Sequence, residues 1–432
     1  MGCKLKNRKT EVLENEYIGE KCVKYVHESG LEVYITKKDF SGYYAIFGTR
    51  YGSYDNKFKI DGKEHTVPAG IAHFLEHKMF ESPVGTDAFE DYAAVGADAN
   101  AYTSIDRTAY LFSCAENFYE ALRVLIEMVL TPHFTEGNVA KEQGIIGQEI
   151  KMSEDRAGSA VVFNLFKAMY ETNPIRIPIA GTIESIAEIT PELLYHCYNI
   201  FYRMNNMALC VCGNVDAEQV MDIVDEMIPK EKQSEVAFEV IDEPIEVYQK
   251  RISAEFEVSM PIFRIGVKYP EAKTEDEAVC DILWESLFGE SEDFYQEVYE
   301  SGLVSGYSDY YDFCRVCSYF VIGGNSDDPE GVYTKFCEYA QNKLKNGISR
   351  ESVELAKRTL YSECVGNFES SENIAETMFE CFLVGEQGLD KAEAYAAVTY
   401  EQVAELAKKV LDERRFALSV IYPKSKDSEG KE

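Results

Sequence analysis

The sequence predicts an α+β protein of two related halves, each a mostly antiparallel sheet packed with helices. Three observations predict it. Stretches that alternate apolar and polar residues, such as Leu31-Glu32-Val33-Tyr34-Ile35, are interleaved with stretches of helical spacing, such as Phe118, Leu122, Leu125, Ile126 and Val129. A helix-to-strand unit recurs: Thr190-Pro191-Glu192 precedes Ala208-Leu209-Cys210-Val211-Cys212 by 18 residues, and Thr399-Tyr400-Glu401 precedes Ala417-Leu418-Ser419-Val420-Ile421 by the same 18. The chain's 432 residues also exceed what one ordinary core organises.

Taken in order, residues 1–17 are polar and read as loosely ordered. Residues 23–38 read as a hairpin about Glu28-Ser29-Gly30, and 43–52 as a strand. A turn-rich loop leads to a helix opened by Pro68 and Gly70, with Ile71, Phe74, Leu75 and Met79 as its apolar side. A second helix over 87–95 breaks at Gly96, and strands follow at 98–104 and 107–114. After a helix over 117–130, Thr135 caps a long helix carrying Glu142 and Glu149. A helix over 161–170 precedes the first repeated unit, where Thr190 is the cap and Pro191 the first helical residue.

The charged, non-periodic tract 229–246 reads as a linker, dividing the chain into domains 1–228 and 247–432. The second half opens with a strand over 256–269. Helices follow near 276–287, 291–300, 329–344 and 350–365. It contains no His.

Net charge is 43 − 76 = −33, which disfavours nucleic acid and anionic membrane as partners and fits either basic peptides as partners or a generally acidic, soluble surface. No run of 18 apolar residues predicts a membrane span. The start, Met1-Gly2-Cys3-Lys4-Leu5-Lys6, lacks the apolar segment of a secretory signal or lipobox. The expected location is therefore the cytoplasm, with the 12 Cys as reduced, partly buried thiols. Cys314 and Cys317 read as lying in one strand, facing opposite ways, which argues against a metal knuckle. Cys210 and Cys212 share a core face.

Chemistry concentrates in Gly70-Ile71-Ala72-His73-Phe74-Leu75-Glu76-His77-Lys78-Met79-Phe80, which contains His-x-x-Glu-His, the inverted zinc-protease motif. On a helix His73 and His77 project from one face toward one Zn2+ ion, and Glu76 is placed to accept a proton from the attacking water. Paired glutamates seven residues apart usually mark only a solvated face. Beside this motif, Glu149 completes a His/His/Glu set, and Glu142 orients a ligand or the water. Of the other histidines, His27, His133 and His196 read as structural, and His65 is the one expected nearest the site.

The segment His73 to His77, with Glu149 72 positions after His77 and Glu142 a heptad earlier, resembles the pitrilysin and mitochondrial-processing-peptidase family of inverzincins, in its bacterial processing-protease branch. Asn100-Ala101-Tyr102-Thr103-Ser104 is similar to that family's edge strand, and Gly213-Asn214-Val215-Asp216 to the turn closing its first domain. The resemblance implies two homologous domains forming half of a clamshell. It also implies endopeptidase activity on extended peptides that add as a strand along Asn100, Ala101, Tyr102 and Thr103. Tyr102 is expected at the oxyanion or in a side-chain pocket. Because the family has zinc-less members, a non-catalytic structural or interaction subunit is the alternative.

Active relatives also carry an Arg followed seven residues later by Tyr in a C-terminal domain. Here Gly302-Leu303 fits that region, but no Arg precedes it. The expectation is thus a hetero-oligomer with a related zinc-less subunit supplying the Arg/Tyr pair. A self-sufficient homodimer or monomer is the runner-up, with Tyr307 or Arg315 filling in.

Overall fold

The computed structural model describes residues 8–60, 62–82, 87–238, 241–386 and 389–424. Cys3 lies outside these, as do residues 239 and 240 of the expected linker. The first half forms strands β1 (Lys9–Asn15), β2 (Glu20–Val26), β3 (Glu32–Lys37), β4 (Tyr43–Thr49), β5 (Lys57–Ile60), β6 (Lys63–Thr66), β7 (Ala97–Thr103), β8 (Thr108–Cys114) and β9 (Met207–Gly213). β5 and β6 pair only with each other. The rest form one sheet in the order β1-β2-β3-β9-β4-β8-β7, antiparallel except between β3 and β9. Over Lys9–Asn15, β1 corrects the expected loose start, while residues 1–7 of that expectation lie outside the described residues: the Asn15 side chain accepts the Tyr17 amide, the chain folds back onto β2, and Leu13 is buried.

The second half forms β10 (Arg251–Phe256), β11 (Ile262–Lys268), β12 (Ser305–Cys314), β13 (Cys317–Asn325) and β14 (Phe416–Pro423), in the order β10-β14-β11-β13-β12. Only β10 and β14 are parallel. Strand for strand this repeats β3-β9-β4-β8-β7, so the duplication signalled by the 18-residue spacing is present in the topology. Thr190 and Thr399 do the same job in both copies, each accepting an amide hydrogen bond that starts the helix before the last strand. One expected strand is two: the chain turns between Phe256 and Ile262, where Pro261 has no N–H for a ladder.

Cys314 and Cys317 also depart from expectation. They face each other across the two-residue turn joining β12 to β13, both buried, with Sγ atoms 3.0 Å apart. Cys210 and Cys212 are fully buried in the first sheet, as read. No helix among the described residues is long and apolar enough to cross a membrane.

The chain divides into two compact units that do not follow the contiguous 1–228 and 247–432 division. One comprises the described residues of Met1–Gln148, Pro178–Glu239 and Cys364–Ala392; the other those of Glu149–Ile177, Val240–Glu363 and Glu393–Glu432. Each half of the sequence therefore gives a helix to the other unit. Helix Ser371–Val384 packs on β3, β4 and β9, and helix Ala157–Met169 packs on β10, β11 and β14. A matched glycine admits each. Gly48 pairs with Ala208 and Gly266 with Ala417 at the same register. A Cβ at Gly48 would lie 2.2 Å from the Phe379 ring, and one at Gly266 would lie 2.3 Å from Met169 Sδ. Contiguity in sequence loses to the bare sheet surface at these two positions, where a helix can approach closely.

Within the second unit, the expected linker carries an anchor at Glu243. Its carboxylate accepts the amides of Glu171, Thr172 and Asn173 and the Thr172 hydroxyl, and pairs with the buried Lys268 Nζ at 2.7 Å. Burial opposes the charge, but Lys268 and these donors hold the carboxyl at about 2, below its usual 4.5. A depressed carboxyl stabilises the fold above its unfolded pKa and loses that contribution as pH falls toward the folded value. Glu243→Gln is therefore expected to lower stability by about 2 kcal/mol at pH 7, with the difference from wild type shrinking between about pH 4.5 and pH 2. Urea midpoints across that range check it, and a pH-independent difference would refute it.

Candidate metal centre

The motif helix is Ile71–Lys78. Its N-terminal Gly70 has φ 90°, and a Cβ there would lie 2.4 Å from the Ala180 carbonyl, so two backbone segments touch where the helix begins. Ile71, Phe74 and Leu75 are fully buried, which turns the opposite side toward the site. From that side His73 and His77 project with ring centroids 4.6 Å apart.

The second contributor is helix Glu136–Glu154. Thr135 and Asn138 cap it reciprocally: the Thr135 hydroxyl accepts the Asn138 amide at 3.2 Å, and the Asn138 side chain accepts the Thr135 amide at 2.8 Å. Val139, Ile146 and Ile150 are its buried side, and Gln143 ties it to the carbonyls of Ile186 and Ile189. Glu142 is buried, and Glu149 lies exposed two turns further along the same face. The compact-unit boundary falls between Gln148 and Glu149, but the helix runs through it as one element.

Donor atoms of His73, His77 and Glu149 all lie within 4.8 Å of one another. Two imidazole nitrogens and a carboxylate oxygen suit zinc, and tetrahedral ligands about 2 Å from an ion fit within this spacing. The His77 Nδ1–H donates to Glu142 Oε1 at 3.0 Å, which leaves Nε2 as the ligand atom. Burial opposes the Glu142 charge, yet His77, Lys78 and Lys141 outweigh it and hold the carboxyl below the usual range. Lys78, fully buried, has its Nζ 2.6 Å from Glu81 and 3.7 Å from the second Glu142 oxygen. The sequence reading passed over Lys78 and Glu81, because a lysine after a histidine carries no signal of where its amine lies.

Glu76, expected as the base, receives a hydrogen bond from Thr103 Oγ1 at 2.6 Å. β7 is the terminal strand of its sheet, with Asn100, Ala101, Tyr102 and Thr103 along it. Asn100 Oδ1 accepts the Ala101 amide at 2.9 Å. Alternation splits the next two side chains: Thr103 meets the motif helix, and Tyr102 points the other way. The Tyr102 hydroxyl donates to Glu376 at 2.9 Å and Tyr44 to the same carboxylate at 2.8 Å, so Tyr102 is committed beneath the sheet rather than to an oxyanion or a pocket. His65 lies elsewhere, stacked on Phe58 with its Nδ1 3.2 Å from His196 Nε2. In the second unit the Tyr307 hydroxyl donates to the Phe288 carbonyl at 2.8 Å, and Arg315 sits in the β12–β13 turn.

The family model described as insulinase (peptidase family M16) matches residues 63–183, which hold His73, Glu76, His77, Glu142 and Glu149. The model described as the M16 inactive domain matches residues 188–360. The uncharacterized zinc protease YmfH of Bacillus subtilis is 35% identical over 429 residues, covering 96% of this chain and 99% of that protein. The mitochondrial-processing peptidase subunit beta of Caenorhabditis elegans is 22% identical, covering 82% and 81%. The crystal structure of an M16-like peptidase from Alicyclobacillus acidocaldarius matches with TM-score 0.88 at 31% identity, covering 98% of this chain and all of that one. With a relative this similar along nearly its whole length, the chain belongs to peptidase family M16.

Proposed function

We propose that this chain is a zinc-dependent endopeptidase that cleaves extended peptides. The observation that carries the proposal is the convergence of His73, His77 and Glu149 donor atoms beside a Glu76 held by its own hydrogen bond. A zinc ion held by these three residues would lower the pKa of a bound water toward neutrality and polarise a scissile carbonyl. Glu76 accepts the proton of the attacking water and returns it to the leaving amine. Glu142 keeps the His77 ring in the ligating tautomer. The outer edge of β7 offers backbone groups to an extended peptide, which favours unfolded segments over folded proteins. The charge of −33 favours basic ones.

The partner is a related subunit without the zinc motif that supplies an Arg/Tyr pair. Two observations support this: no Arg occurs between Arg264 and Arg315, the stretch around Gly302-Leu303, and the Tyr307 hydroxyl is committed to Phe288. A site lacking that cation lacks an electrostatic contact to the developing oxyanion. A non-catalytic role is the weaker reading, because no residue of the metal and base set is missing.

Glu76→Gln is expected to retain near-stoichiometric zinc while losing about 10²–10⁴-fold or more in kcat on a quenched peptide substrate. Loss of the metal instead would show that Glu76 is a ligand. Glu142→Gln is expected to weaken zinc affinity by about 10–100-fold in chelator competition and to slow turnover. An unchanged affinity would remove its orienting role. The chain assayed alone on unstructured basic peptides is expected to be much slower than with the complementing subunit. Full activity from the lone chain, unchanged by any partner, would rule out the hetero-oligomer.

A further inference from the structure

We propose that Thr103 is a positioning residue for the general base, its hydroxyl fixing the Glu76 carboxylate in the orientation that accepts the proton. The inference rests on the peptidase reading above. Thr103 Oγ1 has two acceptors in reach, Glu76 Oε2 at 2.6 Å and Thr108 Oγ1 at 3.4 Å. The nearby carboxylate is much the stronger acceptor, so the single hydroxyl proton goes to Glu76. Thr108 in turn donates to the Tyr51 carbonyl at 2.9 Å.

The seat of Thr103 is rigid. Thr103 and Thr108 are the last pair of the β7–β8 ladder, and beyond them the Ser104 amide donates to the Arg107 carbonyl at 2.8 Å. The hairpin tip then locks against the loop after β4. The Ser53 amide donates to the Ser104 carbonyl at 3.0 Å and the Tyr54 amide to the Ile105 carbonyl at 2.9 Å. A Cβ at Gly52 would lie 2.4 Å from that Ile105 oxygen, so the two backbones touch. On the opposite face Tyr102 is pinned to Glu376. β7 is therefore immobilised on both faces at the end that reaches the base. The strand whose outer edge offers pairing groups to a peptide also aims, from its inner face, the carboxylate that activates the water. Binding register and base orientation are set by one element.

The test compares the zinc-loaded full-length chain with Thr103→Val and Thr103→Ser on a quenched, unstructured basic peptide. Thr103→Val is expected to lower kcat by about 10–100-fold while KM stays within about twofold, because only the aim of the base is lost. Zinc stoichiometry is expected to stay unchanged, and Thr103→Ser, which keeps the hydroxyl, to restore most of kcat. Wild-type kcat in Thr103→Val, or a loss confined to KM, overturns the proposal; the latter would make Thr103 a substrate contact. Crystal structures of the metal-free proteins give a readout independent of activity. Glu76 is expected within hydrogen-bond reach of residue 103 in wild type and Thr103→Ser, and turned away in Thr103→Val. A wild-type separation beyond that reach also overturns it. A zinc-loaded wild type as inactive as Glu76→Gln both alone and with the complementing subunit overturns the peptidase reading and this one with it, whereas an active wild type beside an unaffected Thr103→Val overturns this one alone.

Discussion

Two helices that are distant in the chain meet where His77 Nδ1 donates to Glu142 Oε1 at 3.0 Å, beside the candidate metal ligands. The bond selects the ring tautomer of His77. Glu149 lies two turns after Glu142 on the same helix face. A carboxylate as enclosed as Glu142 is costly to keep charged, and His77 first, then Lys78 and Lys141, offset that cost. The centre is thus specified as much by charge balance behind the ligands as by the ligands themselves.

The fold around this contact is built twice, and one copy carries the His73, His77 and Glu149 set. Both sheets share one strand order, both precede their last strand with a Thr-capped helix, and both admit a helix over a glycine at the same register. The second copy has no histidine, so the same architecture there carries no ligand set of this kind. What it contributes to its own unit is structural, as in the Glu243–Lys268 pair that fastens the segment after the first half.

In the proposed function, peptide binding and proton transfer would meet on β7. Strand alternation divides its residues, sending Tyr102 to Glu376 and Thr103 to Glu76. From the sequence, residues 100–103 are expected together along the peptide-pairing edge, with Tyr102 also at the oxyanion or in a side-chain pocket. The side chains separate them, because neighbours along a strand face opposite directions.

The sequence by itself determined whatever depends on local spacing. His73, Glu76 and His77 share a helical face because the spacing is helical. Glu142 and Glu149 share another for the same reason, and Thr135, Thr190 and Thr399 cap helices because a short side-chain oxygen reaches the next amides. The α+β class and the duplication were legible in the same way, from periodicity and an 18-residue interval. Only the tertiary structure decided what depends on which surfaces meet. That includes the helices given by each half to the other unit, the pairing of Cys314 with Cys317 across a turn, the place of His65 against His196, and the hydroxyl behind the base. Such contacts are fixed by shape and charge between segments far apart in the chain, such as a bare glycine under a helix or a hydroxyl beside a carboxylate. No spacing along the sequence encodes them.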